Sequence, residues 1–599
     1  MQRIRTSGLT ALAMVLALTG HAWAQEADDT VTAEVVVVQP PADSGAYLAA
    51  RVAESSSDFR AAATWFAKAL AADDENQALI EGALYSYLAL GDFDNAARMA
   101  KSLGDDGRDD QLAAFAFDAT EAFAEDYPAL IQAAADGRKL GPVLDDLILA
   151  WANMGAGKMS EALKGFDAVA EMRGMEAAGL YHKALALAVA GDFEGAEAIL
   201  SGTAAGPINL NRRGVIAYVQ ILSQLERNPD ALDLLDKAFG PDPEPTLDAL
   251  RTRLKAGEPL PFDMIPSARA GIAEVFYTIG ALLQGDADAA YVLLHSRVAN
   301  YLDPANAEAL LLTAQSLEDL NQHDLAVDTY ALFPKDNPVF YSAEIGRADA
   351  LYAAGKKEAA VEVLQALARS HGHLVVVQSA LADILRREHR CAEAIPAYDA
   401  ALALVPAVDR THWPLFFSRG VCFESEKNWD KAEADFRKAL ELNPGQPQVL
   451  NYLGYSLVDR GLKLDEALGL IQQAVRAEPQ SGYIVDSLAW AYFRLGRYAD
   501  ALAPMEKASM LEPVDPVVTD HLGDVYWMVG RKREAEFQWH RALSYTPDAK
   551  DAVRIRRKLE LGLDAVLADE GVTPMVAPAT GPDDVPAAAP TEAPAENGN

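Results

Sequence analysis

Carboxylate, histidine and cysteine side chains are the usual raw material of catalysis, and this chain has 88 acidic residues, ten histidines and two cysteines. Their spacing withholds a reaction. His371 and His373 form the closest histidine pair, and no cysteine or carboxylate stands nearby at ligand spacing, so no metal site is expected. A glycine-rich phosphate loop, a Gly-x-Ser-x-Gly elbow and a His-Glu-x-x-His motif are all missing. Carboxylates are so abundant that no single pair stands out for acid–base work. The expectation is a protein without enzymatic activity or cofactor. Cationic chemistry is more localised: Arg531-Lys532-Arg533, Arg541, Arg554 and Arg556-Arg557-Lys558 crowd one end of a chain whose net charge is −36. Such a cluster suits anionic lipid headgroups, cell-wall polymer or an acidic protein; the alternative is a solvated helix face. The overall acidity argues against a nucleic-acid surface, which needs dense Lys and Arg to neutralise phosphate.

The elements that must position these residues announce themselves by repetition. Ala467, Ala501 and Ala535 stand thirty-four residues apart, and Ala474, Ala508 and Ala542 recur in step, as do Pro479, Pro513 and Pro547. A fixed period of this length with small residues at fixed places means helix–turn–helix units stacked side by side. The phase extends upstream through Gly91-Asp92-Phe93 and Gly191-Asp192-Phe193, where Gly permits the turn and Asp caps the next helix. Prolines crowd residues 241–266, which predicts a linker or hinge between an array at 45–240 and a second at 267–548. An amphipathic segment at 549–570 is expected to cap the last unit. Residues 571–599, rich in Pro, Ala and acids, are expected to lack fixed structure. Cys391 should open the second helix of its unit and Cys422 should lie late in the first helix of the next. Either a disulfide or two buried small residues fits that placement.

The N-terminus sets an expected compartment. Two arginines within residues 1–5 precede an apolar run at 9–19 and Ala22-Trp23-Ala24, the pattern of a signal peptide cleaved after Ala24. The run is too short to span a bilayer. Export, with the periplasm as destination, is therefore expected, followed by an acidic linker at 25–44.

The repeating residues resemble the tetratricopeptide repeat. Leu453-Gly454, Leu457, Ala467, Ile471, Ala474 and Pro479 match its pattern, as do Leu488-Ala489, Tyr492, Ala501, Met505, Ala508 and Pro513 in the next copy. The third copy reads Leu522-Gly523, Tyr526, Ala535, Trp539, Ala542 and Pro547. The chain also looks like a group of exported bacterial proteins of this family that have no assigned chemistry. The resemblance implies an all-α right-handed superhelical solenoid of about thirteen units, with the first helices lining a groove. On that frame the groove residues are Asn451 and Tyr455, then Asp486, Trp490 and Phe493, then Asp520, Asp524 and Trp527. Aromatic platforms beside acids suit a peptide with basic, aromatic or proline residues. Members that clamp a chaperone's C-terminal carboxylate use Lys, Asn and Arg at these places, and only Asn451 matches. The expected function is a non-enzymatic periplasmic scaffold or adaptor in envelope assembly or maintenance. Docking on membrane or wall polymer through the basic end is the alternative.

Overall fold

A computed structural model describes residues 43–104, 110–204, 206, 208–240 and 244–571. The expected signal peptide, nearly all of the leader at 25–44 and all but the first residue of the tail lie outside these. Among the described residues all regular structure is helical, in antiparallel hairpins that pack in sequence order. The local chemistry is that of the turns. Gly91 closes Gln77–Leu90 at φ +77, a region open to glycine, and the Asp92 side chain accepts the Asn95 N–H at 3.2 Å to start Phe93–Leu103. Asp58 and Asp192 cap their helices in the same way. The signature alanines Ala467, Ala474, Ala501, Ala508, Ala535 and Ala542 are fully buried where helices approach closely.

The proline-rich segment does not divide the chain into separate cores. Its helix Pro245–Lys255 buries Leu247 and Leu254, with Leu260 beyond, against Val219, Leu222 and Leu235. The following helix, Ala268–Leu283, turns back onto Pro142–Gly155 and Glu176–Val189. Ala289–Leu302 lies against Gln77–Leu90 and Gln111–Phe123. All four partners are first helices of their hairpins, so the inner face of the first array is filled by the chain itself. One apolar core accordingly runs from Leu84 to Ala309. A boundary at 241–266 is thus a break in the repeat phase and not in the packing.

Three details fasten this closure. Gly271 meets the Trp151 ring so closely that an added Cβ would lie 2.3 Å from it. Glu274, wholly buried, accepts from Arg213 Nε and from the Tyr181 hydroxyl, each at 2.9 Å. Arg297 Nε donates to the Ala89 carbonyl at 2.9 Å. Such pairing is what makes buried charge tolerable.

The far end differs from expectation in one respect. The capping segment is two helices, Ala549–Leu561 and Leu563–Asp569, broken at Gly562, whose φ is +81. Leu563 and Val566 of the second are fully buried, Leu563 in the core of the last repeats.

Candidate partner-binding groove

The first helices of the last units are Pro447–Asp459, Gly482–Arg494 and Pro516–Met528, and Ala549–Leu561 continues the series. One repeat step carries Asp520 onto Arg554 and Asp524 onto Lys558. The stripe of acids and the basic cluster therefore meet. Lys558 Nζ lies 2.7 Å from Asp520 and 2.6 Å from Asp524, with no solvent exposure of its side chain. Arg554 stands 3.4 Å from Asp524, and the Trp539 indole donates to Asp524 at 2.9 Å. Burial, and the neighbouring Asp524 charge, push Asp520 upward, while Lys558 opposes them. These two carboxylates are structural and not available to a ligand.

Trp527 is also spent. Its indole donates to Asp564 of the closing helix at 2.9 Å, Gly562 packs on its ring, and the Lys532 ammonium sits 4.4 Å from its centroid. Phe493 is buried beneath Trp490, stacked at 4.7 Å. Asp520, Asp524, Trp527 and Phe493 are thus core or cap contacts, contrary to their expected role.

Asn451, Tyr455 and Asp486 do come together. They line a hollow of about 640 Å³ with Phe417, Tyr452, Tyr483, Val517 and His521. Tyr483 and Val517 form its exposed rim, at 49% and 46%. Asn451 is 7% exposed, and its Oδ1 has no hydrogen-bond partner. Burial first, then the Asp486 charge, push the Tyr455 phenol up to about 12, so it stays a hydrogen-bond donor. Trp490 does not line the hollow; its ring lies parallel to that of the lining His521 at 3.8 Å.

The acids of this hollow are already paired: Glu424 with Arg460 at 3.5 Å, Asp459 with Arg494 at 2.8 Å and Asp486 with His521 at 3.0 Å. A basic peptide would have to displace these cations, so the expected preference for basic residues loses its free carboxylates. Aromatic and proline recognition keeps its rings. Tyr483 and Val517 were legible, since each precedes a stripe residue by three positions and so shares its face. His521 carries no such signal; it flanks the stripe and reaches Asp486 from the next helix.

His521 offers a pH test. Burial disfavours its charged ring, but Asp486, then Asp520 and Asp524, outweigh this and raise its pKa above the ordinary 6.5. Its contribution to stability is therefore full below about 6.5 and is lost as pH rises through the higher folded value. Thermal unfolding across this range should show that decline in the native protein and lose it in His521→Gln.

The other cations are mostly paired internally. Arg531 reaches Glu506 at 2.9 Å and Glu534 at 2.8 Å, and Arg557 reaches Asp569 at 2.7 Å. Arg541 donates to the Tyr545 hydroxyl at 2.8 Å and to the Pro513 carbonyl. Arg533 and Arg556 stand exposed. A docking surface built on this cluster is correspondingly thin.

Cys391 and Cys422 are free, buried thiols brought side by side. Burial, then the Cys391 thiol, push the Cys422 thiol up. Thiol titration without reductant should find none reactive in the folded protein and two after denaturation.

A solenoid of helical hairpins with an aromatic inner groove is the architecture of a protein-interaction scaffold. Tetratricopeptide-repeat models match residues 149–207, 308–338, 413–446 and 453–509. These four segments carry tetratricopeptide repeats. It is 30% identical over 178 residues to the TPR repeat-containing protein PA4667 of Pseudomonas aeruginosa, a stretch covering 29% of each chain. It is 28% identical over 134 residues to the E3 ubiquitin-protein ligase CHIP of Arabidopsis thaliana, covering 21% of this chain and 46% of that one. The matched stretches span less than half of either relative. A solved tetratricopeptide repeat protein from Parabacteroides merdae aligns over 43% of this chain and 98% of its own, at 20% identity and TM-score 0.36. The Cut9–Hcn1 structure aligns over 87% of this chain and 96% of its own, at 13% identity and TM-score 0.37.

Proposed function

We propose that this protein is a periplasmic scaffold that holds an extended, apolar or proline-containing segment of a protein partner in the groove between residues 417 and 521, in the service of envelope assembly or maintenance. The observation that carries the reading is the hollow itself. The repeat register brings Asn451, Tyr455 and Asp486 to one concave face and leaves Tyr483 and Val517 exposed at its rim, while the inner face of the first array is occupied. Hydrogen-bonding groups set in an apolar wall are what orient a bound peptide. The compartment rests on the arginines, apolar run and Ala-x-Ala site within residues 1–24. It is tested by the intact mass of the protein from its native envelope, expected to begin at Gln25.

The groove is tested with Tyr483→Ala combined with Val517→Asp, two exposed positions whose change spares the core. Affinity purification after crosslinking should lose a specific protein, with affinity at least ~10-fold weaker and thermal unfolding unchanged. Retention of every partner at native strength would remove the groove from consideration.

A further inference from the structure

The closing helix delivers the chain to Arg554, on the helix beside the one that walls this groove. Glu570, one residue beyond Leu563–Asp569, holds Arg554 at 2.9 Å. Arg554 in turn lies 3.4 Å from Asp524 and 3.9 Å from Asp520, and the residue after Asp520 is His521, which walls the hollow. The chain thus reaches Gly571 within one helix of the site. Residues 572–599 follow, outside the described residues. Their composition is unlike the rest: prolines at 574, 578, 582, 586, 590 and 594, every fourth position, with neither Lys nor Arg nor an aromatic side chain among them.

The groove's chemistry matches that composition. Phe417, Tyr452, Tyr455 and Tyr483 present rings, and ring faces pack against pyrrolidine in the recognition of proline-rich segments. A polyproline segment makes no internal hydrogen bonds, so its carbonyls are open to donors such as the Tyr455 phenol. Fixed φ angles reduce the entropy lost on docking. The acids of the segment, Asp583, Asp584, Glu592 and Glu596, meet a wall whose own carboxylates are already paired with Arg460, Arg494 and His521. Reach is ample: 28 residues at ~3.1 Å each could span about 85 Å, while three neighbouring helices at ~10 Å spacing need about 30 Å.

We infer that the groove takes an extended proline-rich segment and that residues 572–599 of the same chain are its resident occupant, which a partner must displace. This rests on the groove reading above. Tethering gives the resident an effective concentration in the millimolar range, so a partner that wins the site must bind it more tightly than the tail does.

The test uses the full chain with the photo-crosslinking residue benzoylphenylalanine in place of Ala588. In the monomer, crosslinks mapped by mass spectrometry should fall within residues 417–521 and drop at least fivefold in Tyr483→Ala with Val517→Asp. Replacing Pro582, Pro586 and Pro590 with Gly should lower the yield as well and speed amide exchange in Pro447–Asp459 and Gly482–Arg494. Crosslinks mapping elsewhere, or none to the groove, overturn the inference; crosslinks only between chains give the site to a second copy and overturn it too. If the tail crosslinks elsewhere while Tyr483→Ala with Val517→Asp still loses its partner, the groove stands with an external occupant. If partner capture is also unchanged, both readings fall.

Discussion

Lys558→Ala is expected to destabilise the C-terminal units by about 3–5 kcal/mol, the cost of leaving buried charge without its partner. Its ammonium is enclosed and lies within 2.8 Å of oxygens on both Asp520 and Asp524. Asp524 has no exposure of its own, so its charge finds no water when the lysine is removed. Arg554, at 3.4 Å and 3.9 Å, compensates only partially. Urea unfolding followed by Trp fluorescence would register the loss through Trp527 and Trp539, which lie beside the cluster. A variant that also carries Asp520→Asn and Asp524→Leu should recover much of it, because the uncompensated charges go with the lysine. A Lys558→Ala protein as stable as the native one would mean the cluster is solvated. Repeat arrays lose stability locally before they lose it globally. Amide exchange should therefore accelerate first between residues 516 and 569.

Trp151→Ala should cost a similar ~3–5 kcal/mol by a different route, the cavity left by a large side chain in a packed core. The ring has no exposure, packs edge-on against Phe166 at 5.5 Å and donates through its indole to His182 Nδ1 at 3.2 Å. His182, itself buried and pushed down to about 3 by desolvation, stays a neutral acceptor that would be left unpaired. Trp151 also carries the contact with Gly271. The substitution should thus raise exchange in Ala268–Leu283, more than a hundred residues away along the chain, as well as in Pro142–Gly155. Exchange confined to residues near Trp151 would show that the first array and the helices filling it are independent.

Much of this structure was open to inspection in the amino-acid order, for a physical reason. Close helix packing demands small residues at Ala467, Ala501 and Ala535, and turns demand Gly91 and Asp92, so local geometry leaves a local mark. The groove register follows from the same period, and it placed Asn451, Tyr455 and Asp486 in the hollow. The neutralisation of Asp520 and Asp524 was also within reach, because Arg554 and Lys558 stand one period beyond them. Reading the acids and the bases as separate surfaces concealed it. The filling of the first array had no local mark. Proline density at 241–266 reports where the helix pattern stops, not where the chain goes next, and the pairing of Glu274 with Arg213 joins residues sixty-one positions apart.

That filling bears on how the protein can be cut. A repeat array is ordinarily divisible, each unit needing only its neighbours. Here a fragment ending near residue 240 would bare Phe115, Trp151 and Tyr181 along its inner face, where Phe276 and Ile272 otherwise sit. Apolar surface of that kind adheres to whatever it meets. Baits made from the first array alone would collect proteins that the intact chain never holds, and the shortest trustworthy fragment must run past Leu302.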